Sequence, residues 1–273
     1  MEREHEIALW DDFWQHEGRI FLETNGEDWT SLVWKVSFDY WQDIFERLAL
    51  GKKMLECGAG SAKMSLHMGQ RGYECTMLEN SKGALEAGRK NFQRAGLSGT
   101  FVLEDVERIS FPDNTFDIVY SGGLLHHFED IQPAVKEMVR VIKPGGVFGA
   151  TVITKKFSCQ TIGDLEKFFV LFFFDIARGK IKETFSKSRG EFPFYVNSIP
   201  LSEYRKVLEE AGLKDVVATG TSPFPSLALP DFLHKVYGKF MKALMPFWKW
   251  FDRSNSKFAE IWGASFSMYG IKK

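Results

Sequence analysis

Between residues 51 and 153 short apolar runs alternate with amphipathic stretches, and the hydrophobic period switches each time. "KKMLECGAG" reads as an apolar strand breaking into glycine, followed by a helix from about Ala62 to Arg71. "YECTMLEN" predicts a second strand and "KGALEAGRKNFQRAG" a helix that stops at Gly96. "TFVLED" and "FDIVYS" predict the third and fourth strands. "IQPAVKEMVRVIK" carries Val135, Met138, Val139 and Ile142 on one helical face. "KPGG" is its stop and turn, and "VFGATVI" is a fifth strand. Strands alternating with helices require crossover connections, hence a mainly parallel sheet covered on both faces.

The flanks follow a different rhythm. In residues 7–50, Trp34, Phe38, Trp41 and Phe45 recur every three or four positions, as on one face of a helix that Gly51 ends. Regularity falters from 155 to 198, which contains "FFVLFFF" (Phe168–Phe174). "SEYRKVLEEAGLKDVVATG" restores a helix, a Gly212 cap and a strand. Residues 223–262 read as a second insertion, and "GASFSMYGIKK" as a closing strand. The expected division is an N-terminal helical cap (1–50), a core (51–153), a cap insertion (154–198), a core helix and strand (199–222), a second cap insertion (223–262) and a final core strand (263–273).

Composition narrows the function. The 273 residues hold 26 Phe and 8 Trp, more aromatic surface than a plain core needs, so part of it is expected to line a pocket. The net charge of −1 and the absence of a basic stripe argue against a nucleic-acid partner. Cys57, Cys75 and Cys159 form no metal-spaced or CxxC cluster, and "MEREHEIALW" is too charged for a secretory signal. A reduced cytoplasmic setting without a metal is the expectation. The phenylalanine run is about a third of a membrane span and lies between Lys167 and Asp175, which suits a buried or cleft-lining helix.

The candidate chemistry sits at the strand ends. Gly58 and Gly60 follow the first strand, where missing side chains let a ligand approach the backbone. A dinucleotide fingerprint would place a third glycine at 63, where Lys63 stands. Glu56, in the last turn of that strand, would repel a pyrophosphate and suit a cation, such as the amino group of S-adenosylmethionine (SAM). Glu79 ends the second strand and suits two ribose hydroxyls. Asp105 at the third strand's end is a candidate for the adenine amino group, with the Val106 N–H for a ring nitrogen. Each acid alone could be a solvated loop residue. Three of them, each at its own strand end, are better explained as one site.

"MLECGAGSAKMS", "YECTMLENS", "FVLEDVERISFPDNTFDIVYSGGLLHHFED" and "EMVRVIKPGGVF" stand in an order that resembles the class I SAM-dependent methyltransferases, within their ubiquinone/menaquinone-methyltransferase-like ("type 11") group. The resemblance covers about residues 50–153, with a weaker echo in "LSEYRKVLEEAGLKDV" and the last strand. It implies a Rossmann-like α/β fold, a seven-stranded methyltransferase sheet whose last strand is antiparallel, with helical, aromatic-rich caps over the acceptor. It also implies that Glu56, Gly58, Gly60 and Ser61 hold the methionine part of SAM and that Glu79, with Asn80 beside it, takes the ribose. Asp105 and Val106 would meet the adenine, and Ser121 would lie beside the cofactor. Ala62 departs from the family's third glycine, and Glu replaces the commoner Asp at 56 and 79.

The implied reaction is methyl transfer to the O, C or N of a small aromatic or lipophilic acceptor, leaving S-adenosylhomocysteine. Such in-line displacement needs alignment and water exclusion, and an oxygen or carbon acceptor also needs a proton removed. His126 and His127 border the expected transfer site, ahead of a helix that Asp130 would cap and Pro133 would open. One of the pair is a candidate base; the alternative is that both shape the loop. "DFLHKVYGKFMKALMPFWKW" places Leu233, Val236, Tyr237, Phe240 and Leu244 on one stripe with lysines around it. That pattern fits a cap helix over the pocket, or a peripheral membrane contact through 231–251 by an enzyme acting on a lipid or quinone-like acceptor. A non-catalytic SAM-binding module and a nicotinamide dehydrogenase are the minor alternatives. The fourth strand lacks the [DNS]-P-P-[YFW] turn of base amino methylation. The pattern fixes neither the acceptor atom nor an oligomeric state.

Overall fold

The computed structural model describes residues 2–17, 29–153, 155–177, 195–227, 229 and 231–273, of which 2–6, 15–17, 29–30, 170–177 and 231–232 are described as backbone only. Helices α1 (Glu2–Glu17) and α2 (Trp29–Leu48) precede the alternating region, which runs β1 (Lys53–Cys57), α3 (Lys63–Gly69), β2 (Glu74–Glu79), α4 (Lys82–Arg94), β3 (Thr100–Leu103) and β4 (Phe116–Gly122). A 3₁₀ turn (Leu125–His127), α5 (Gln132–Val141), β5 (Ile142–Ile153) and α6 (Cys159–Ala177) follow. The chain closes with α7 (Leu201–Glu210), β6 (Leu213–Thr221), α8 (Asp231–Ala243), α9 (Met245–Arg253), α10 (Lys257–Trp262) and β7 (Ser265–Lys272).

The seven strands form one sheet in the order β3-β2-β1-β4-β5-β7-β6, with β7 antiparallel to both neighbours and the pairs among β1 to β5 parallel. This is the Rossmann-like methyltransferase arrangement expected from the sequence. Strand order reverses between β1 and β4, and in such sheets ligands bind in the crevice at the strands' carboxyl ends.

Three local readings need correction. The third strand stops at Leu103, because the chain turns there: Glu104 N bonds to Glu79 O, and the Arg108 N–H closes on Asp105 O. Asp105 therefore lies in a turn, two residues past the strand. The helix after β1 is shorter than expected, Lys63–Gly69. Ile142 is no part of α5; it pairs with Phe116 as the first residue of β5. The register then jumps to Ile118 opposite Val147, so "KPGG" loops out within the strand, with Gly145 at φ +78°.

Two clusters of buried side chains sandwich the sheet. α5 contributes Val135, Met138 and Val139 to one face, together with Tyr204 of α7. α2 lays Trp41 and Phe45 on the other face, both fully buried. Gly149 on β5 makes that approach possible, since a Cβ there would lie 2.7 Å from the Trp41 ring. The Trp41 indole N–H donates to Thr151 Oγ1 at 3.1 Å, so the ring's polar edge is also paired. A third cluster joins the N-terminal half of α2 (Leu32, Val36) to Met241 of α8 and Trp248 of α9. Cys57, Cys75 and Cys159 are free and buried. On α6, Phe169 is exposed; the side chains from Val170 to Phe174 lie outside the described residues, as do residues 178–194 of the expected cap insertion.

Candidate functional site

The loop after β1 is pinned to the end of β2. Gly58 N and Ala59 N both donate to Leu78 O, at 2.9 and 3.3 Å. Gly60 N donates to Glu79 Oε2 at 2.9 Å, and Glu79 Oε1 accepts from Asn80 N and Ser81 N. The Glu79 carboxylate thus accepts three backbone N–H groups, of the roughly four positions a carboxylate offers. Burial nevertheless pushes its pKa up. Ser61, also buried, is held through its carbonyl by Asn91 Nδ2 at 2.9 Å. Gly58 and Gly60 have φ of +65° and +52°, and a Cβ on Gly60 would meet the Trp14 ring at 2.8 Å. Ala62 takes the same left-handed backbone at φ +58°, so the departure from the family's third glycine falls at a position glycine would hold with less strain.

Glu56 lies beneath this loop. Its Oε2 accepts from Ser65 N at 2.8 Å, near the N-terminus of α3. Burial lifts its pKa to about 7. Among the described residues no lysine or arginine pairs with Glu56 or Glu79. At the end of β4, Ser121 is fully buried and its Oγ has no hydrogen-bond partner among the described residues. Asp105 Oδ1 accepts from Glu107 N at 3.0 Å, and the Val106 side chain packs into the core.

The loop beyond Ser121 carries the histidines. His126 is buried and its Nδ1 faces the Ile153 N–H at 3.4 Å; His127 is half-buried and its Nδ1 meets Tyr195 O at 2.6 Å. These partners separate the tautomers. A carbonyl only accepts, so His127 Nδ1 carries the proton and Nε2 keeps its lone pair. An amide only donates, so His126 Nδ1 is the bare nitrogen and Nε2 carries the proton. Burial lowers both pKa values, that of His126 to about 3, so both rings are neutral near pH 7. Pro133 lies in the first turn of α5 as expected, but Ile131 and not Asp130 is its N-cap residue; Asp130, one position earlier, accepts from Gln132 N through Oδ1 at 2.9 Å.

Two contributors carried no signal in the sequence. Asn197, almost fully buried, grips the histidine turn: its Nδ2 donates to Leu125 O and Phe128 O, its N–H to His126 O, and its Oδ1 accepts from Tyr204 Oη. Helix α1 roofs the site. Asp11 Oδ1 accepts from Ser81 Oγ and Gly83 N at the start of α4, Trp14 lies on Gly60, and Trp10 stands edge-on to His127 with ring centroids 5.2 Å apart. Aromatic spacing announced a helical cap but not which of its residues reach the site.

Residues 55–150 match a family model described as a methyltransferase domain. The chain is a class I SAM-dependent methyltransferase. It is similar to the ubiquinone/menaquinone C-methyltransferases. A ubiquinone/menaquinone biosynthesis C-methyltransferase from Photorhabdus laumondii is 26% identical over 193 residues, which are 64% of this chain and 74% of that protein. A sterol 24-C-methyltransferase from Aspergillus fumigatus is 42% identical over 74 residues, only 26% of this chain and 20% of its own. The YcgJ protein of Bacillus subtilis superposes with a TM-score of 0.54 at 20% identity, covering 88% of this methyltransferase and 99% of that chain, and so supports the fold.

The residues present fit the methyltransferase's cofactor. SAM brings an ammonium and a sulfonium. The buried, cation-free carboxylate of Glu56, the unpartnered Ser121 Oγ and the side-chain-free cradle at Gly58 and Gly60 all lie at the β1–β4 switch point. When bound, SAM supplies an activated methyl group whose leaving group is a neutral thioether.

Proposed function

We propose that this methyltransferase alkylates an oxygen or carbon of a small, hydroxylated aromatic acceptor lying between Trp10 of α1 and the His126–His127 turn, with His127 as the general base. The observation that carries this reading is the Trp10–His127 ring pair beside the end of β4, with the Nδ1–Tyr195 bond placing the His127 proton on Nδ1. An aromatic ring would stack or pack edge-on there, and its hydroxyl proton would pass to Nε2. The electron density so released attacks the methyl carbon in line, and a carbon acceptor then loses its ring proton. His126, whose Nε2 carries a proton and whose pKa burial lowers to about 3, orients the turn and takes no proton.

In this reading Glu56, Gly58, Gly60, Ser61 and Ser121 hold the methionine end of SAM. Glu79 and Asn80 hold the ribose, and Asp105 and Val106 the adenine. α1, α2 and residues 223–262 form the acceptor-side cap. The name of the bacterial relative, a C-methyltransferase of ubiquinone and menaquinone biosynthesis, favours a quinol-like ring. The sterol relative aligns over too little of the chain to inform the acceptor.

Methyl-labelled SAM offered with phenols, hydroquinones and primary amines tests this. Label is expected in phenolic or hydroquinone products and absent from amines. Transfer to amines alone would overturn the reading.

A further inference from the structure

The stripe that the sequence places along residues 233–244 does not stay together in the fold. Tyr237, Met241 and Trp248 turn inward, with Tyr237 Oη donating to Pro225 O and Trp248 packed beside Leu32 and Val36. Val236, Phe240 and Leu244 face outward, joined by Phe247 and Trp250 of α9. Val236, Phe240 and Trp250 are 59%, 53% and 57% exposed. Val236 and Phe240 lie four positions apart on one side of α8, Phe247 and Trp250 three apart on one side of α9, and Leu244 sits at the junction between them. Large apolar residues gathered in this way are uncommon on a surface that meets only water.

The flank beyond this apolar side is basic. Lys235, Lys239, Lys242 and Lys249 are exposed, none is ion-paired among the described residues, and residues 233–250 contain no carboxylate. Four positive charges in 18 residues with no carboxylate among them contrast with the chain's net charge of −1, although Lys249 shares a pocket with Asp39, Asp43 and Glu46 of α2. Among the described residues no helix is long and apolar enough to cross a membrane. An exposed apolar side flanked by long basic side chains has the build of an interfacial helix, whose lysines reach headgroups while its aromatics enter the acyl boundary.

Position in the fold adds to this. The segment leaves the sheet after β6 and returns at β7, at the carboxyl edge that carries Gly58, Glu79 and Ser121. It packs on the N-terminal half of α2, whose Trp34 lies under Lys63 just after the glycine loop. We propose that α8 and α9 dock this methyltransferase on an anionic lipid bilayer, with the cofactor edge of the sheet turned toward the membrane. This does not depend on the acceptor: a bilayer contact can serve a soluble or a lipid-dissolved substrate.

Co-sedimentation of the full chain with phosphatidylcholine vesicles, and with vesicles containing equal parts of phosphatidylglycerol, tests it. Binding is expected to the anionic vesicles and to weaken with added salt. Replacing Lys239, Lys242 and Lys249 together by Gln should lower affinity by about fivefold per lysine. The Phe240→Asp/Trp250→Asp variant should abolish sedimentation while keeping native circular dichroism and S-adenosylhomocysteine affinity, which shows that the fold and cofactor site are intact. Failure of the wild-type chain to sediment with anionic vesicles would overturn the proposal, as would equal binding to both kinds of vesicle. A wild-type dimer in sedimentation velocity that the same aspartates convert to monomer would also overturn it, because the face would then be a self-interface.

Discussion

The two ends of the parallel strands treat their charges in opposite ways. At the amino end, every charge in the network has an answering group. Arg140 bonds Glu137, Asp113, Phe111 O and Ile109 O; Asp117 bridges Lys143 Nζ and Lys53 N; Lys272 Nζ reaches Asn114 Oδ1 and two carbonyls. At the carboxyl end, among the described residues, Glu56 and Glu79 are buried without a cation and Ser121 Oγ has no partner, and two histidines are held neutral. The first end is complete without a ligand and fixes how the strands start. The second stores uncompensated polarity, which a cationic, hydroxyl-rich ligand would relieve. The segments that identify the family in sequence, "FPDNTFD" and "RVIKPGG", belong mostly to the complete end.

Substitutions at the carboxyl end should therefore change ligand binding or turnover, and those at the amino end stability alone. The largest effect is expected from His127→Gln, a loss of about 10²–10⁴-fold in turnover if the lost base is not replaced. Wild-type kcat/KM should rise with pH through a pKa lying below the ordinary histidine value and then level off. The variant should lack that limb; an unchanged pH profile would exclude His127 as the base. Next comes Glu79→Ala, which leaves the Gly60, Asn80 and Ser81 N–H groups without their acceptor. S-adenosylhomocysteine affinity should fall by about 10²-fold in calorimetry, an order consistent with losing charge-assisted bonds.

Glu56→Gln sharpens the contrast by moving stability and binding in opposite directions. Its folded pKa of about 7 lies above the ordinary 4.5, so this group's contribution is fully present below 4.5 and is lost as pH rises through 7. The ligand-free variant should thus be more stable than wild type at pH 8, by at most on the order of 3 kcal/mol in denaturant titration, yet bind the cofactor more weakly. A variant less stable than wild type at pH 8 would show that the carboxylate is already compensated. The smallest change is expected at the other end. Arg140→Met should cost about 1–2 kcal/mol, because it frees two backbone carbonyls and two carboxylates at a partly solvated site. kcat and cofactor affinity should hold at permissive temperature, and a selective loss of turnover would break the comparison.

Asn197 shows what the sequence could not supply. It lies in "YVNSIP", some 70 residues from the turn it grips, and no spacing rule links the two. Glu56 and Glu79 were legible because strand alternation locates strand ends, and strand ends in such a sheet share one edge. Asp105 was misplaced by two residues because the chain's turn after Leu103 depends on a bond to Glu79 O in the neighbouring strand. On α8, periodicity correctly grouped apolar residues by angle, but it could not tell a side that meets Trp248 and Val36 from one that meets solvent.

The antiparallel closing strand of the sheet was implied by the family resemblance; by itself the sequence determined the alternating α/β order, the glycine cradle and its two acids. Each of these follows from local period or from residue type at a strand end, and both are short-range properties. Tertiary structure alone decided the tautomers of His126 and His127, the choice of Trp10, Asp11 and Trp14 as the roof, the clamp by Asn197 and the outward face of α8–α9. Those outcomes rest on contacts between segments far apart in the chain, where the packing of one element determines which atoms of another are left to be satisfied.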